Sequence, residues 1–318
     1  MKLGKIYDRA VKEGMKVDPR PLSVIRKKLT DARKAYKKLS KFEQNLFDRQ
    51  RLTNPYSDTR ILYGSRNTEV RTILLGIDIG GAELLLAERL RRTGREIDLV
   101  LSHHPQGIAL AGLHDVMGLQ VDILEDYGLD RKIAEDLFNK RAKEVERTIL
   151  GVNHNRHIDV ARILDIPLMC IHTPADNHVT NYLKQLIKRK RPKLVREVIR
   201  MLKNIPEYKS SASGGAGPKL IAGKEDNPVG KILIDMTGGT EGSKEVFARL
   251  SQAGVGTIIA MHLSEEHFKR AKPEHINIII AGHISSDTIG LNLLLDKLCR
   301  QESLNIIPCS GFQRIKRT

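Results

Sequence analysis

From residue 71 onward, short apolar runs alternate with amphipathic stretches. RTILLGID, AELLLAERLRR and IDLVLSHH come first and predict strand, helix and strand. Residues 119–165 carry a helical period instead, with Ile133, Leu137, Val145, Ile149, Val160 and Ile163 among the apolar positions. They lead into a strand, PLMCIHT, at 167–173, and then into helices over roughly 175–190 and 194–204. A second alternating set follows: KILIDMT, EVFARLSQAG, GTIIAMH, EEHFKRA, NIIIAGH and IGLNLLLDKLC, closing on NIIPC. The pattern predicts an α/β fold of two related α/β units around a cleft. The first is residues 61–208, with a helical insert over 105–165, and the second is 219–318. The Gly/Ser-rich stretch KSSASGGAGPK (209–219) is the predicted boundary. No fixed-period repeat points to a solenoid.

Before residue 61 the pattern differs. Leu22, Ile25, Leu29, Ala32, Tyr36, Leu39 and Leu46 recur at spacings of three and four, interrupted where Glu43 takes an apolar position. This predicts one long helix from about 20 to 48, started by Asp18, Pro19 and Pro21 and stopped by Asn54-Pro55. Residues 1–60 are thus expected to be a basic helical arm.

Charge sharpens that expectation. Lys and Arg number 54 against 38 Asp and Glu, a net +16, and the first sixty residues alone hold 17 against 7. Such an excess favours anionic partners without naming one. The arm holds no candidate ligand, so removing residues 1–52 is expected to alter assembly or anion binding and to leave any metal site intact. With 40% hydrophobic and 29% charged residues, the composition excludes a disordered or fibrous chain. Cys170, Cys299 and Cys309 form no CxxC pair, which excludes a zinc knuckle and a disulfide framework. No apolar run reaches the ~18 residues of a membrane span, and the start lacks the apolar core of a secretory signal. A cytoplasmic protein without membrane contact is expected.

Three strand-to-helix junctions carry the candidate chemistry. His103-His104-Pro105 ends one strand, His172-Thr-Pro-Ala-Asp176 ends a second, and Gly282-His283-Ile-Ser-Ser-Asp287 ends a third. A single histidine after a strand is ordinary. Three such junctions supplying imidazoles and carboxylates form an N/O donor set suited to Zn, Mn, Fe or Co. Other motifs say less. MTGGTEGSKE (236–245) lacks Walker A spacing and reads as a connecting loop, GIDIGG (76–81) lacks the dinucleotide fingerprint, and KRKRPK (188–193) reads as a solvated helix junction. Asp78 and Asp98 read as structural, and His154 and His157 as helix-surface histidines.

The segments DLVLSHHP (98–105), HTPAD (172–176) and GHISSD (282–287) resemble, in order, the marks of the Nif-three-like family of dinuclear metal proteins: HHP, HTxxD and GHxxxE. Members often carry the label GTP cyclohydrolase I type 2 homologue. The similarity runs from about 70 to 300, with Asp287 where the family has Glu and a long separation between His103 and His172. The resemblance implies that His103, His104, Asp176, His283 and Asp287 bind two divalent ions, with Asp287 bridging. It implies that His172 orients its neighbours and stands as the one candidate catalytic group. It also implies a homo-oligomer, often a hexamer. A metal-dependent hydrolase acting on an anionic, nucleotide or phosphoester-like substrate is the leading expectation. The rival is a metal-binding or nucleic-acid-associated regulatory protein, with non-specific nucleic-acid binding by the basic arm.

Overall fold

The computed structural model describes residues 1–300 and 302–317. The first sixty residues begin with a helix that belongs to the core. Leu3, Ile6, Tyr7, Ala10 and Val11 fall on one face, and helix α1 (Leu3–Lys16) buries all five in the core shared by the first sheet and the last helix. Helix α2 (Leu22–Lys38) buries only Ile25 and Leu29. The single helix expected over 20–48 breaks at Leu39, whose backbone is extended, and restarts at Ser40 as α3 (Lys41–Leu46). Glu43, which interrupts the apolar stripe, sits in a capping box: its backbone N–H donates to Ser40 Oγ at 3.3 Å, and its carboxylate accepts the Ser40 N–H at 2.8 Å.

The chain then runs through β1 (Arg60–Tyr63), β2 (Thr72–Gly76), α4 (Gly81–Arg92) and β3 (Leu99–Ser102). Five helices fill the insert: α5 (Gly107–Ala111), α6 (Leu113–Val116), α7 (Leu119–Asp126), α8 (Arg131–Leu150) and α9 (Arg156–Ile163). After β4 (Leu168–Cys170) come α10 (Thr173–Lys190), α11 (Val195–Lys203) and α12 (Pro206–Ser213). The second set is β5 (Lys219–Ala222), β6 (Lys231–Asp235), α13 (Phe247–Gln252), β7 (Val255–Ala260), α14 (Glu265–Ala271), β8 (Asn277–Ile280), α15 (His283–Leu298) and β9 (Asn305–Cys309).

The strand orders are β1-β4-β3-β2-β9 and β5-β8-β7-β6, so four parallel strands in the first sheet and three in the second each lie against one antiparallel edge strand. This is the two-unit α/β fold that the hydrophobic pattern predicts. Those edge strands, RILY and KLIA, escape the pattern because they are short and only partly buried. Strand β9 lies late in the chain but pairs in parallel with β2, so the last strand completes the first sheet. Nor is the Gly/Ser stretch a free linker. Its first half is α12, anchored by the buried Tyr208, whose hydroxyl lies 2.8 Å from Ser286 Oγ on α15.

Helices α10 and α15 pack along each other between the two sheets' cores. Gly290 makes this possible, since a Cβ there would stand 2.4 Å from the carbonyl oxygen of Ala175. At Gly14 a Cβ would likewise meet Pro174 Cβ at 2.6 Å, so α1 presses directly on the first turn of α10. Among the described residues no helix is long and apolar enough to cross a membrane.

Candidate metal centre

In a parallel sheet, the ends of adjacent strands and the starts of the following helices meet on one edge, and side chains held there converge. Strand β3 delivers His103 and His104, whose backbone N–H groups donate to the carbonyls of Gly76 and Ile77 at 3.0 Å each. The turn after β4 puts His172 at the N-cap of α10 and Asp176 in its first turn. The turn after β8 does the same for α15, with His283 as its first residue and Asp287 four positions on. All six side chains come together where the two helices cross.

The outer nitrogens of three imidazoles are each committed. His103 Nδ1 donates to the carbonyl of Ile171 at 2.9 Å, His104 Nδ1 to Asp78 at 2.6 Å and His172 Nδ1 to Asp58 at 2.8 Å. Each of these bonds occupies Nδ1 and turns Nε2 inward, the atom that a metal would bind in exchange for a proton. His103 Nε2 then lies 3.4 Å from Asp176 Oδ1 and 3.4 Å from Asp287 Oδ1. The other Asp287 oxygen, Oδ2, is 3.4 Å from His104 Nε2 and 3.6 Å from His283 Nε2, and those two nitrogens are 3.3 Å apart. His172 Nε2 is 3.8 Å from Asp176 Oδ2.

His103 Nε2, Asp176 Oδ1 and both Asp287 oxygens are buried without a hydrogen-bond partner among the described residues. Such groups call for an explanation in a folded protein, because each has lost water and received nothing in return. The groups His103–Asp176–Asp287 and His104–His283–Asp287 could each hold a metal ion, as could His103–His104–His172. Electrostatics agree. Burial alone would raise the Asp287 carboxyl, yet His103, His104 and His283 hold it far below the usual carboxylate range. Burial opposes charge on His103, but Asp287 and Asp176 hold it well above the ordinary imidazole value, so the pocket attracts a cation strongly. Burial keeps His283 low, against the pull of Asp287, and therefore in the neutral form that binds metals.

The structure brings together every ligand candidate named from the sequence. It also supplies residues that the sequence reading passed over. Asp78, read as structural, receives the His104 N–H, whereas Asp98 does serve only the backbone, accepting from Arg71 and Thr72. Asp58 is fully buried and accepts from His172, from Thr173 Oγ1 at 2.6 Å and from the Thr173 N–H at 3.4 Å. Its position just before an unrecognised edge strand hid it. His262 follows β7 as His104 follows β3, its ring 4.8 Å from that of His283, and Glu241 holds it at 3.3 Å. Burial would raise the Glu241 carboxyl, but bonds from His262 and the Ser264 N–H bring it down to about 2. The Gly-rich segment contributes Thr237, Gly239, Thr240 and Glu241 to the wall of the cleft, beside His172, Asp176 and His283. His154 and His157 belong to none of the metal-capable groups among the described residues.

Asp58→Ala is expected to cost about 3 kcal/mol of stability, because it strands the buried His172 N–H and the Thr173 hydroxyl together. Urea unfolding measures it. A midpoint within error of the parent's would mean that Asp58 does not anchor this corner.

Fold and cluster together define a two-unit α/β protein with a buried His/Asp site able to hold metal at the junction of the units. A NIF3 superfamily protein from Sphaerobacter thermophilus has the same architecture, with a TM-score of 0.68 and 27% identity over 80% of this chain and 92% of that one. This bears out the resemblance to the Nif-three-like family seen in the HHP, HTxxD and GHxxxD segments. More distant likenesses include reduced HcgD from Methanocaldococcus jannaschii, at TM-score 0.48 and 15% identity over 83% and 94% of the two chains. A Bacillus cereus protein related to NIF3 gives 0.41 and 13% over 79% and 89%. No family model matches the chain, and no curated protein matches it in sequence.

Proposed function

We propose that the chain is a dinuclear divalent-metal protein that hydrolyses an anionic, nucleotide or phosphoester-like substrate. The observation that carries this reading is a set of distances. Two donors each about 2.1 Å from one tetrahedral ion stand about 3.4 Å apart, whereas an N–H···O hydrogen bond is nearer 2.9 Å. The inward atoms of the cluster are separated by 3.3 to 3.6 Å. They divide into two sets, His103 with Asp176 and Asp287 Oδ1, and His104 with His283 and Asp287 Oδ2.

On this reading those two sets hold one ion each, and Asp287 is common to both. Two ions held by these residues would lower the pKa of a bound water and would stabilise an oxyanion or phosphorane-like charge. The rest is the work of the chain itself. Asp58 holds His172 with Nε2 turned into the cleft, placed to accept or return a proton during hydrolysis. Glu241 holds His262, which lines the same cleft with its ring packed on His283 and so would face a bound substrate. The net charge of +16 favours anionic substrates at encounter.

Loading the protein in turn with Zn, Mn, Fe and Co, followed by elemental analysis, is expected to give about two ions per chain for at least one metal. Affinity should fall as pH is lowered, because protons and metal compete for the same imidazole lone pairs. The loaded form is then screened against nucleotides and phosphoesters. Stoichiometry near zero with all four metals would remove the reading altogether.

A further inference from the structure

We propose that the basic segment KRKRPK builds a second ligand site, remote from the metal-capable cluster, for a phosphorylated small molecule of nucleotide size. The segment ends α10 and turns the chain into α11. Arg191 caps α10 in the left-handed conformation, φ 49° and ψ 53°, which folds Pro192 and Lys193 back over the helix end. The result is concave. A cavity of about 540 Å³ lies between α10, α11 and the start of α12, within the range of small-molecule pockets.

Its floor and its walls differ in chemistry. Leu186, Met201 and Ile205 are buried below, and the ring of Tyr182 is half-buried beside them. Lys190, Arg191, Lys193 and Arg200 surround this apolar floor, all exposed. None of the four has an ion-pair partner among the described residues, although nearby Arg196 is paired with Asp226. The one carboxylate in the lining, Glu197, is occupied by the backbone N–H groups of Lys193 and Leu194, which hold it below its usual range. Four unpaired cations around one hollow repel each other, and an anion with several oxygens removes that repulsion while donor-rich Arg and Lys hydrogen-bond to it. The apolar floor adds a place for a flat or apolar body attached to the phosphate. A freely solvated charge run needs neither the hollow nor the floor.

This site is separate from the metal-capable cluster. Asp176 and Lys190 are fourteen residues apart on one helix, about 21 Å at the α-helical rise. The proposal therefore stands or falls independently of the hydrolase reading.

The test is calorimetric titration of the chelator-treated 318-residue chain with ATP, with inorganic phosphate and with a single-stranded 20-mer of mixed sequence. ATP should bind once per chain, at least tenfold more tightly than phosphate, and weaken as salt rises. The triple variant K190E/R191E/K193E should lower ATP affinity at least tenfold, while K27E/K34E/K38E on α2, with the same change of charge, should not. Tyr182→Ala should remove the advantage of ATP over phosphate. ATP binding that is absent, or that survives K190E/R191E/K193E, overturns the site. A 20-mer that binds more tightly than ATP and is lost in that same variant overturns the small-molecule assignment and makes the segment a nucleic-acid surface. A His104→Ala background that abolishes ATP binding would place the ligand at the metal cluster, again against the proposal.

Discussion

If two ions are held as proposed, Asp287→Asn is expected to weaken both together, by at least about 100-fold each, since even residues that merely orient metal ligands are worth 10–100-fold. The reason lies in how its two oxygens are divided. Oδ1 faces His103, and Oδ2 faces His104 and His283. An amide offers one neutral oxygen in place of two charged ones, so neither ion keeps its shared ligand, and the repulsion between the two cations is no longer offset. His283→Ala touches one set only and should chiefly weaken one ion. Asp287→Glu, which restores the residue of the HHP, HTxxD, GHxxxE pattern, should keep both. Calorimetric metal titration of the three variants decides the matter. Loss of a single ion in Asp287→Asn, with the other at parental affinity, would make Asp287 a terminal ligand and refute the shared carboxylate.

What was legible in the sequence follows from where the information is local. The parallel strands β2, β3, β4, β7 and β8 read directly as apolar runs because both faces are covered, and the site histidines read directly because each closes such a run. Residues that act through partners distant in sequence were not legible. His172 and Asp58 are separated by 114 positions and His104 and Asp78 by 26, so no spacing rule connects them. The internal symmetry of the site was available but unread. HTPAD and HISSD share one His-x-x-x-Asp spacing at corresponding strand ends, and the His104 of one unit answers to the His262 of the other. Helix α1 went unread for a different reason. Concentrated charge drew attention to residues 20–48, while the buried stripe of α1 lies among lysines and arginines that face outward on the same helix.

Removing residues 1–16 is therefore expected to prevent folding, contrary to the expectation that the first 52 residues are dispensable for the site. Leu3, Ile6, Tyr7 and Val11 are all 5% exposed or less and Ala10 is fully buried, and full burial of four such large side chains is worth about 8 kcal/mol. Whole domains are stable by only about 5–15 kcal/mol. The loss would also fall on the site itself, because α1 contacts both α10 and α15, the helices that carry Asp176 and Asp287, and touches Pro174 through Gly14. Helix α2 behaves differently. With only Ile25 and Leu29 buried, it contributes less than half as much, and charge reversal at its exposed Lys27, Lys34 and Lys38 should leave the thermal midpoint within a few degrees. Circular dichroism and soluble yield compare the two. A truncated protein lacking residues 1–16 that melts cooperatively near the parental temperature would show that the first helix is an accessory after all, and that α10 and α15 hold their crossing without it.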